Sequence, residues 1–372
     1  MLLERLTSSG PKRILALDGG GIRGAIALGY LERIEQELRA RHDDPDLLLC
    51  DYFDLIGGTS TGSIIAAGLA TGRSVAEIKD LYLRLGPRVF SQRRRLLGRL
   101  ESKFDAAALE VELRQQFGDT RLGDEDAITT GLCIVAKRAD TRSTWYLLNH
   151  PNGRYYPKNK HIRLRDAIRS STAAPTFFIP QELEVGEGER GAFVDGGVSM
   201  ENNPALRLFI IATAPGHRFE WPVGRDNILL VSIGTGESFP KFDLGEVFDN
   251  RVWDWAIEIP GMFMEDATWH NQMMLQFLSE SPTAKTIDRE IGTLQGEYLA
   301  GKPLLTYLRY NPELTVQGLS RLGLSHLEAR LPQLRAMDEG ERVRDLAEIG
   351  AAGATQDVQP DHFPAAFDLP RD

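Results

Sequence analysis

The chain has 372 residues, of which 42% are hydrophobic and 26% charged, and its formal net charge is −10. This composition is typical of a globular protein, and the acidic balance argues against a general affinity for nucleic acid polymers. The N-terminus lacks a long apolar stretch, and Cys50 and Cys133 lie in apolar runs that predict buried, reduced thiols. We therefore expect a cytoplasmic protein without a signal peptide, and no apolar run is long enough to span a bilayer.

Strand-like and helix-like patterns alternate over the first two hundred residues. An apolar run predicts a strand over 13–18, and apolar residues at helical spacing follow over 22–38. A second strand is predicted over 48–56, followed by a short helix over 62–71. Because strands alternate with helices, we expect an α/β fold of three layers around a mostly parallel central sheet.

The later part of the chain has a different texture. Two runs over 129–138 and 143–149 predict antiparallel strands, and 227–233 predicts a further buried strand. After residue 240 aromatic residues and methionines become dense. The predicted organisation is a catalytic core over 1–240 and a helix-rich C-terminal cover packed on it over 241–350. A tail rich in Ala, Pro and Asp over 351–372 is expected to be loose.

The stretch DGGGIRG, residues 18–24, joins the first strand to the first long helix. Glycine lets a loop turn tightly and point its N–H groups at a negative charge. The stretch satisfies G-x-G-x-x-G, so one reading is a site for the pyrophosphate of a dinucleotide. The carboxylate of Asp18, however, would then face those phosphates, and like charges repel each other. The other reading is a site for the oxyanion of a tetrahedral intermediate.

The pentapeptide GTSTG, residues 58–62, follows the second strand and precedes a helix. It matches G-x-S-x-G, the nucleophile elbow, in which Gly58 and Gly62 allow a turn sharp enough to expose the hydroxyl of Ser60. The alternative reading is an ordinary turn in which Ser60 caps the helix.

A serine nucleophile needs a base. None of the seven histidines lies in a glycine-framed loop. Asp195 ends a short apolar strand and is followed by Gly196 and Gly197, a setting expected for a residue at the ligand-binding edge of an α/β sheet. The alternative is a strand-end turn in which Asp195 bonds its own backbone.

Together DGGGIRG, GTSTG and DGG (195–197), with SSTAAP (170–175) between the last two, resemble the patatin-like phospholipase family. The resemblance implies a patatin-like fold and lipid ester hydrolysis by a dyad of Ser60 and Asp195, without histidine, metal or cofactor. It also implies an oxyanion hole in the glycine-rich loop, contributed by Gly19, Gly20, Gly21, Arg23 and Gly24. Arg23 either pairs with another group or attracts an anionic headgroup.

The sequence is also similar to a bacterial subgroup of this family, the effectors of antiphage defence that cyclic nucleotides activate. The similarity rests on LDGGGIRGAIALGYLERIE, WHNQMMLQFL (269–278) and LLTYLRYN (304–311). It implies a cyclic di- or trinucleotide activator and a homo-oligomer on activation. Tyr307, Arg309 and Tyr310 would offer a cation and stacking faces to the nucleotide. Alternatively, these three are ordinary strand residues.

A basic, leucine-containing stretch over 93–103 is a candidate for peripheral contact with anionic lipid at the inner membrane surface, or else a solvated helix face. Three other functions stay open: a lipase or esterase without nucleotide control, a non-catalytic nucleotide-binding protein, and a nicotinamide-dependent oxidoreductase. The last would need an acid near the end of the second strand, where this chain has Gly57 and Gly58.

Overall fold

The computed structural model describes residues 2–91, 106–175, 177–186, 188–238, 248 and 252–370. Its centre is a nine-stranded sheet. The strands are β1 (Lys12–Leu17), β2 (Leu55–Thr59), β3 (Gly131–Arg138), β4 (Ser143–Leu148), β5 (Gln181–Gly186), β6 (Glu189–Asp195), β7 (Ile228–Ile233), β8 (Ser279–Glu280) and β9 (Leu305–Tyr310).

Helices connect the strands and cover the sheet. They are α1 (Leu2–Thr7), α2 (Gly24–His42), α3 (Leu49–Tyr52), α4 (Thr61–Ala70), α5 (Val75–Ser91), α6 (Ala107–Phe117), α7 (Tyr156–Asn159), α8 (Leu164–Ser171), α9 (Ala205–Thr213), α10 (Val252–Leu278), α11 (Val316–Arg321), α12 (Leu331–Arg335) and α13 (Val343–Asp357). Two buried apolar clusters pack against the sheet, one containing α2 and α4 and the other containing α9. The α/β architecture of the prediction is confirmed.

The strand order is β5-β6-β3-β2-β1-β7-β9-β8, and β4 also pairs with β3. The pairs β1–β2, β1–β7, β2–β3, β7–β9 and β8–β9 are parallel, whereas β4 and β6 run antiparallel to β3. The carboxyl ends of β1, β2 and β7 therefore meet at one edge of the sheet. This edge carries both the glycine-rich loop (residues 18–24) and the elbow (residues 58–62).

The predicted strand over 48–56 is wrong in its first half. Residues Leu49–Tyr52 form α3, and β2 begins only at Leu55. The carboxylate of Asp51 accepts a hydrogen bond from the N–H of Leu48 at 2.9 Å, which satisfies an N-terminal donor of the helical turn. Cys50 therefore lies on a helix, but it is a buried free thiol, as is Cys133.

The expected loose tail over 351–372 is also wrong for the residues that the structure describes. Helix α13 packs along α2, and Phe363 and Phe367 are buried beyond it. The two helices approach closely at Gly350 because this residue has no side chain. A Cβ there would lie 2.4 Å from the carbonyl oxygen of Ile26. Small residues at this position indicate tight helix packing rather than disorder.

The region 241–350 extends the sheet as well as covering it. It supplies β8 and β9, and β9 pairs with β7 from Thr306 to Tyr310. Helix α10 lies against α9, and its Leu275 is buried in the apolar cluster that contains α9. Within the part of the chain that the structure describes, no helix is both long enough and apolar enough to cross a membrane.

Candidate active site

Ser60 occupies a strained turn between β2 and α4. Its φ is 54° and its ψ is −125°, a backbone conformation that residues other than glycine rarely adopt. Its side chain makes no capping hydrogen bond to α4. The reading of Ser60 as an ordinary helix cap is therefore excluded, and the side chain is left to face the edge of the sheet.

The two glycines of the elbow are required by space. A Cβ on Gly58 would lie 2.1 Å from the carbonyl oxygen of Gly62, and a Cβ on Gly62 would lie 2.3 Å from the carbonyl oxygen of Leu17. The backbone of the elbow is therefore packed closely on its own next turn and on the end of β1, and neither position has room for a side chain. The predicted role of Gly58 and Gly62 in supporting the turn has this steric basis.

Ser171, at the end of α8, holds the backbone of the elbow. Its hydroxyl accepts a hydrogen bond from the N–H of Ser60 at 2.8 Å and donates one to the carbonyl of Val135 at 2.6 Å. The sequence analysis quoted the block that contains Ser171 but gave this residue no role. A serine hydroxyl can accept and donate at once, so it can bridge two backbones that do not bond each other.

Sheet topology brings Asp195 to the same place. Thr59 pairs with Val135, and Asp195 pairs with the next residue, Ala136, along the same edge of β3, because β4 occupies the opposite edge. Because β6 runs antiparallel to β3, its last residue comes level with the elbow. Asp195 is only 5% exposed and interacts with the Ser60 hydroxyl.

Burial raises the pKa of Asp195 to about 6, against the opposing effect of hydrogen bonding from Ser60 and from the N–H of Gly197. The Gly197 N–H donates to the carboxylate at 2.7 Å. Gly196 has no room for a side chain, since its Cβ would lie 2.5 Å from the carbonyl oxygen of Val135. The local turn thus fixes the carboxylate, and it leaves the group able to exchange a proton near neutral pH.

The glycine-rich loop lies directly beside Ser60. A Cβ on Gly19 would lie 3.2 Å from the Cβ of Ser60. The loop carbonyls are held away from the serine: Gly19 accepts from the hydroxyl of Thr235 at 2.9 Å, and Gly21 accepts from the hydroxyl of Tyr82. The described residues offer no acceptor to the N–H groups of Gly20 and Gly21, which are therefore available to a ligand.

Three of the five predicted oxyanion-hole residues are not available as backbone donors. The N–H of Gly19 donates to the carbonyl of Asn202 at 3.0 Å, that of Arg23 to Gly20 at 3.2 Å, and that of Gly24 to Gly21 within the first helical turn. The prediction was too broad because the loop becomes helical at Gly21, where successive N–H groups find acceptors inside the turn. Asn202 was missed, since nothing in the sequence links it to the loop.

The side chain of Arg23 has its largest favourable charge interaction with Glu265 of α10. Burial lowers the pKa of Arg23 to about 10, and the charges of Glu265 and Asp18 oppose that change. Its Nε atom is buried without a hydrogen-bond partner. The carboxylates of Glu265 and Asp18 thus give this guanidinium acidic surroundings.

The predicted ligand residues Tyr307, Arg309 and Tyr310 belong to a strand of the sheet, and Arg309 and Tyr310 also line a cavity together with Lys285 and Asn311. All three residues lie on β9 with at most 2% of their surface exposed. The guanidinium of Arg309 is bonded to Asp18, and the hydroxyl of Tyr310 lies 2.9 Å from Nδ1 of His362. They are strand residues of the core, because β9 is an internal strand of the sheet rather than part of a separate cover.

The basic stretch over 93–103 lies outside the described residues. Among those that are described, no group of three or more His, Cys, Asp or Glu side chains could hold a metal ion.

Comparison with known proteins gives one family match and several relatives. Residues 15–209 match the model of the family described as patatin-like phospholipase. The chain is 29% identical to a cGAMP-activated phospholipase of Escherichia coli (strain TW11681) over 233 residues, which are 61% of this chain and 63% of that protein. It is 30% identical to Patatin-17 of Solanum cardiophyllum over 246 residues, 62% of this chain and 61% of that one.

A third relative is covered more fully. Patatin-like protein 2 of Oryza sativa subsp. indica is 32% identical over 289 residues, which are 68% of this chain and 70% of that protein. For the first two relatives the match spans less than two thirds of their length.

Proposed function

This chain belongs to the patatin-like phospholipase family, and we propose that it is a serine lipid acyl hydrolase that cleaves phospholipid esters with Ser60 as nucleophile and Asp195 as base. One observation carries the proposal. The strained turn at Ser60 holds its hydroxyl beside the buried carboxylate of Asp195, where the ends of β2 and β6 meet along β3. A serine next to a group that can take its proton is the arrangement that nucleophilic catalysis requires.

In the first half of the reaction, Asp195 takes the proton of the Ser60 hydroxyl while the oxygen attacks the ester carbonyl carbon. The carbonyl oxygen becomes an oxyanion and accepts hydrogen bonds from the N–H groups of Gly20 and Gly21. The intermediate then breaks its bond to the alcohol oxygen, which leaves as a lysolipid with the proton from Asp195. The fatty acyl group remains as an ester of Ser60.

In the second half, water gives a proton to Asp195 as its oxygen attacks the acyl carbon. The same N–H groups receive the second oxyanion. When the bond to Ser60 breaks, the serine oxygen takes the proton back and the fatty acid is released. A donor of this kind contributes about 3–4 kcal/mol in acyl-transfer enzymes, so the Gly20–Gly21 pair is expected to be a major catalytic element.

The test is labelling with a fluorophosphonate probe together with phospholipid hydrolysis. Ser60→Ala should abolish both. Ser170→Ala is the matched control, because Ser170 is a buried serine whose hydroxyl donates to Asp166 of its own helix at 2.9 Å. Labelling of the Ser60→Ala protein at the wild-type rate would place the nucleophile elsewhere. Nucleotide binding by a wild-type protein that is never labelled would support the non-catalytic alternative.

We also propose that a cyclic di- or trinucleotide activates the enzyme in antiphage defence, with peripheral action at the inner membrane surface and oligomerisation on activation. The support is the sequence similarity described above and the similarity to a relative named a cGAMP-activated phospholipase. A hundredfold activation requires the nucleotide to favour the active state by about 2.7 kcal/mol.

The test is a titration with cyclic di- and trinucleotides that follows hydrolysis of anionic vesicles and light scattering in parallel. We expect activity to rise by a factor on the order of a hundred as the scattering mass increases. Ser60→Ala should oligomerise without hydrolysis. Full activity of the ligand-free protein, unchanged by every nucleotide, would favour the lipase without nucleotide control.

A further inference from the structure

We propose that Arg309 is a positioning residue that sets the place of the glycine-rich loop relative to Ser60 by holding Asp18. This inference rests on the proposed function and extends the catalytic machinery beyond residues 15–209, the part that matches the family. The glycine-rich loop belongs to the matched part, whereas Arg309 lies a hundred residues beyond it on β9.

The contact between the two residues is bidentate and buried. Nη1 of Arg309 donates to Oδ1 of Asp18 at 2.9 Å, and Nη2 donates to Oδ2 at 2.6 Å. The side chains are 1% and 4% exposed. Arg309 reaches Asp18 across β7, where it also donates to the hydroxyl of Ser232 at 2.8 Å. A planar fork on a carboxylate fixes both distance and orientation, which a single ammonium contact cannot do.

Asp18 in turn contacts both the end of β7 and the elbow, and it is the first residue of the glycine-rich loop. Its N–H donates to the carbonyl of Ile233 at 3.1 Å, and its own carbonyl oxygen would lie 2.8 Å from a Cβ on Gly62. The next residue, Gly19, lies against Ser60. A shift of the Asp18 carboxylate would therefore move the donors of Gly20 and Gly21 relative to the serine oxygen.

Stability alone does not account for this pair. Burial raises the pKa of Asp18 and disfavours the charged form of Arg309, whereas the charge of each residue favours ionisation of the other. The loss of solvation therefore offsets part of the attraction between them. Buried ion pairs of this type are often replaceable by apolar residues without loss of stability. What an apolar pair cannot supply is the fixed direction of the carboxylate at the start of the loop.

The experiment compares two ion pairs at opposite ends of β1. Arg13 donates to Asp54 with Nε at 3.1 Å and Nη2 at 3.4 Å, and their side chains are 11% and 4% exposed. This pair lies at the end of β1 away from Ser60, so the double variant Arg13→Met/Asp54→Asn is the control. The test variants are Asp18→Asn/Arg309→Met, which removes both charges, and Arg309→Lys, which keeps the charge without the fork.

We expect Asp18→Asn/Arg309→Met to lower kcat by a factor on the order of a hundred with little change in KM, since misplacement of about 1 Å has that effect. Arg309→Lys should recover part of the loss. The control double variant should keep its kcat, whatever change in thermal stability it shows. Equal kcat losses in both double variants would overturn the inference.

Amide hydrogen exchange tests the same inference without relying on hydrolysis. Peptides covering residues 18–24 should exchange faster in Asp18→Asn/Arg309→Met and at the wild-type rate in the control double variant. Unchanged exchange of this loop would overturn the positioning role even if the protein proved to have no lipase activity. A different outcome is also distinguishable. If fluorophosphonate does not label the wild-type protein but the loop exchanges faster in the test variant, the proposed function is rejected and the positioning role of Arg309 stands.

Discussion

A methyl group at Gly20 would lie 2.2 Å from the hydroxyl oxygen of Thr235. Thr235 follows β7 and donates that hydroxyl to the carbonyl of Gly19. The loop is therefore in contact with the β7 turn on one side and with Ser60 on the other. It has no space in which to change its path, and this fixes the position of its free N–H groups relative to Ser60.

Gly20→Ala should lower kcat by a factor on the order of a hundred with a smaller effect on KM. The added methyl group must displace either Thr235 or the loop, and the hydrogen bond to the oxyanion forms only in the transition state. Steady-state kinetics on a soluble ester measures both constants. Gly216→Ala, where no atom lies within 4 Å of the added methyl group, is the control. An effect on KM alone would make Gly20 a binding residue.

Asp195→Asn should reduce turnover by a factor on the order of a hundred or more. The wild-type rate should rise with pH through about 6 and then level off, because burial raises the pKa of Asp195 to about 6 and only the ionised form accepts a proton. A pH profile of kcat/KM checks this. Replacing His150 or His362 by glutamine should change turnover far less. A histidine variant as inactive as Asp195→Asn would indicate a triad.

The same variant should be more stable than the wild type at alkaline pH. The pKa of Asp195 rises from 3.8 to about 6 on folding, mainly through burial, so the folded state favours the protonated carboxyl. The stabilisation is complete below pH 3.8 and is lost as the pH rises through 6, an effect of about 3 kcal/mol. Denaturation at pH 4 and at pH 8 should show the advantage of Asp195→Asn only at pH 8. An equal difference at both pH values would contradict the assigned pKa.

Ser60→Gly should be more stable than Ser60→Ala, although neither should hydrolyse lipid. The φ of 54° strains any residue with a Cβ, typically by about 1–3 kcal/mol, and glycine relieves this strain. Thermal denaturation of the two variants at one pH measures the difference. Greater stability of Ser60→Ala would mean that the turn is not strained as the structure has it.

Gly350→Ala should destabilise the protein by roughly 1–3 kcal/mol, because the added methyl group would lie 2.4 Å from the carbonyl oxygen of Ile26. Chemical denaturation measures this change. Gly261→Ala is the control, since Gly261 also lies within a helix and has no atom within 4 Å of the added methyl group. Unchanged stability of Gly350→Ala would show that the contact between α13 and α2 is not tight.

The sequence by itself determined the alternation of strands and helices, the elbow at Ser60 and the turn at Asp195. These follow from short-range rules: apolar periodicity marks the elements, and glycines mark the places where a backbone must turn or approach another closely. The predictions from sequence were wrong where the local signals were ambiguous. Residues 48–56 are apolar enough for a strand, yet Leu49–Tyr52 form a helical turn before β2. The small residues near Gly350 suggested a loose tail by composition, whereas they belong to a packed helix.

Only the tertiary structure decided which N–H groups of the glycine-rich loop stay free and what becomes of Arg309. Gly19 is bonded to Asn202, and Arg309 to Asp18, across 183 and 291 positions of sequence. No periodicity encodes such partners, since they depend on the order of strands in the sheet. The strand order β1-β7-β9 brings Arg309 over the end of β1, and the antiparallel course of β6 along β3 brings Asp195 level with Ser60. Local physics therefore specifies the candidate catalytic groups, and sheet topology specifies how they meet.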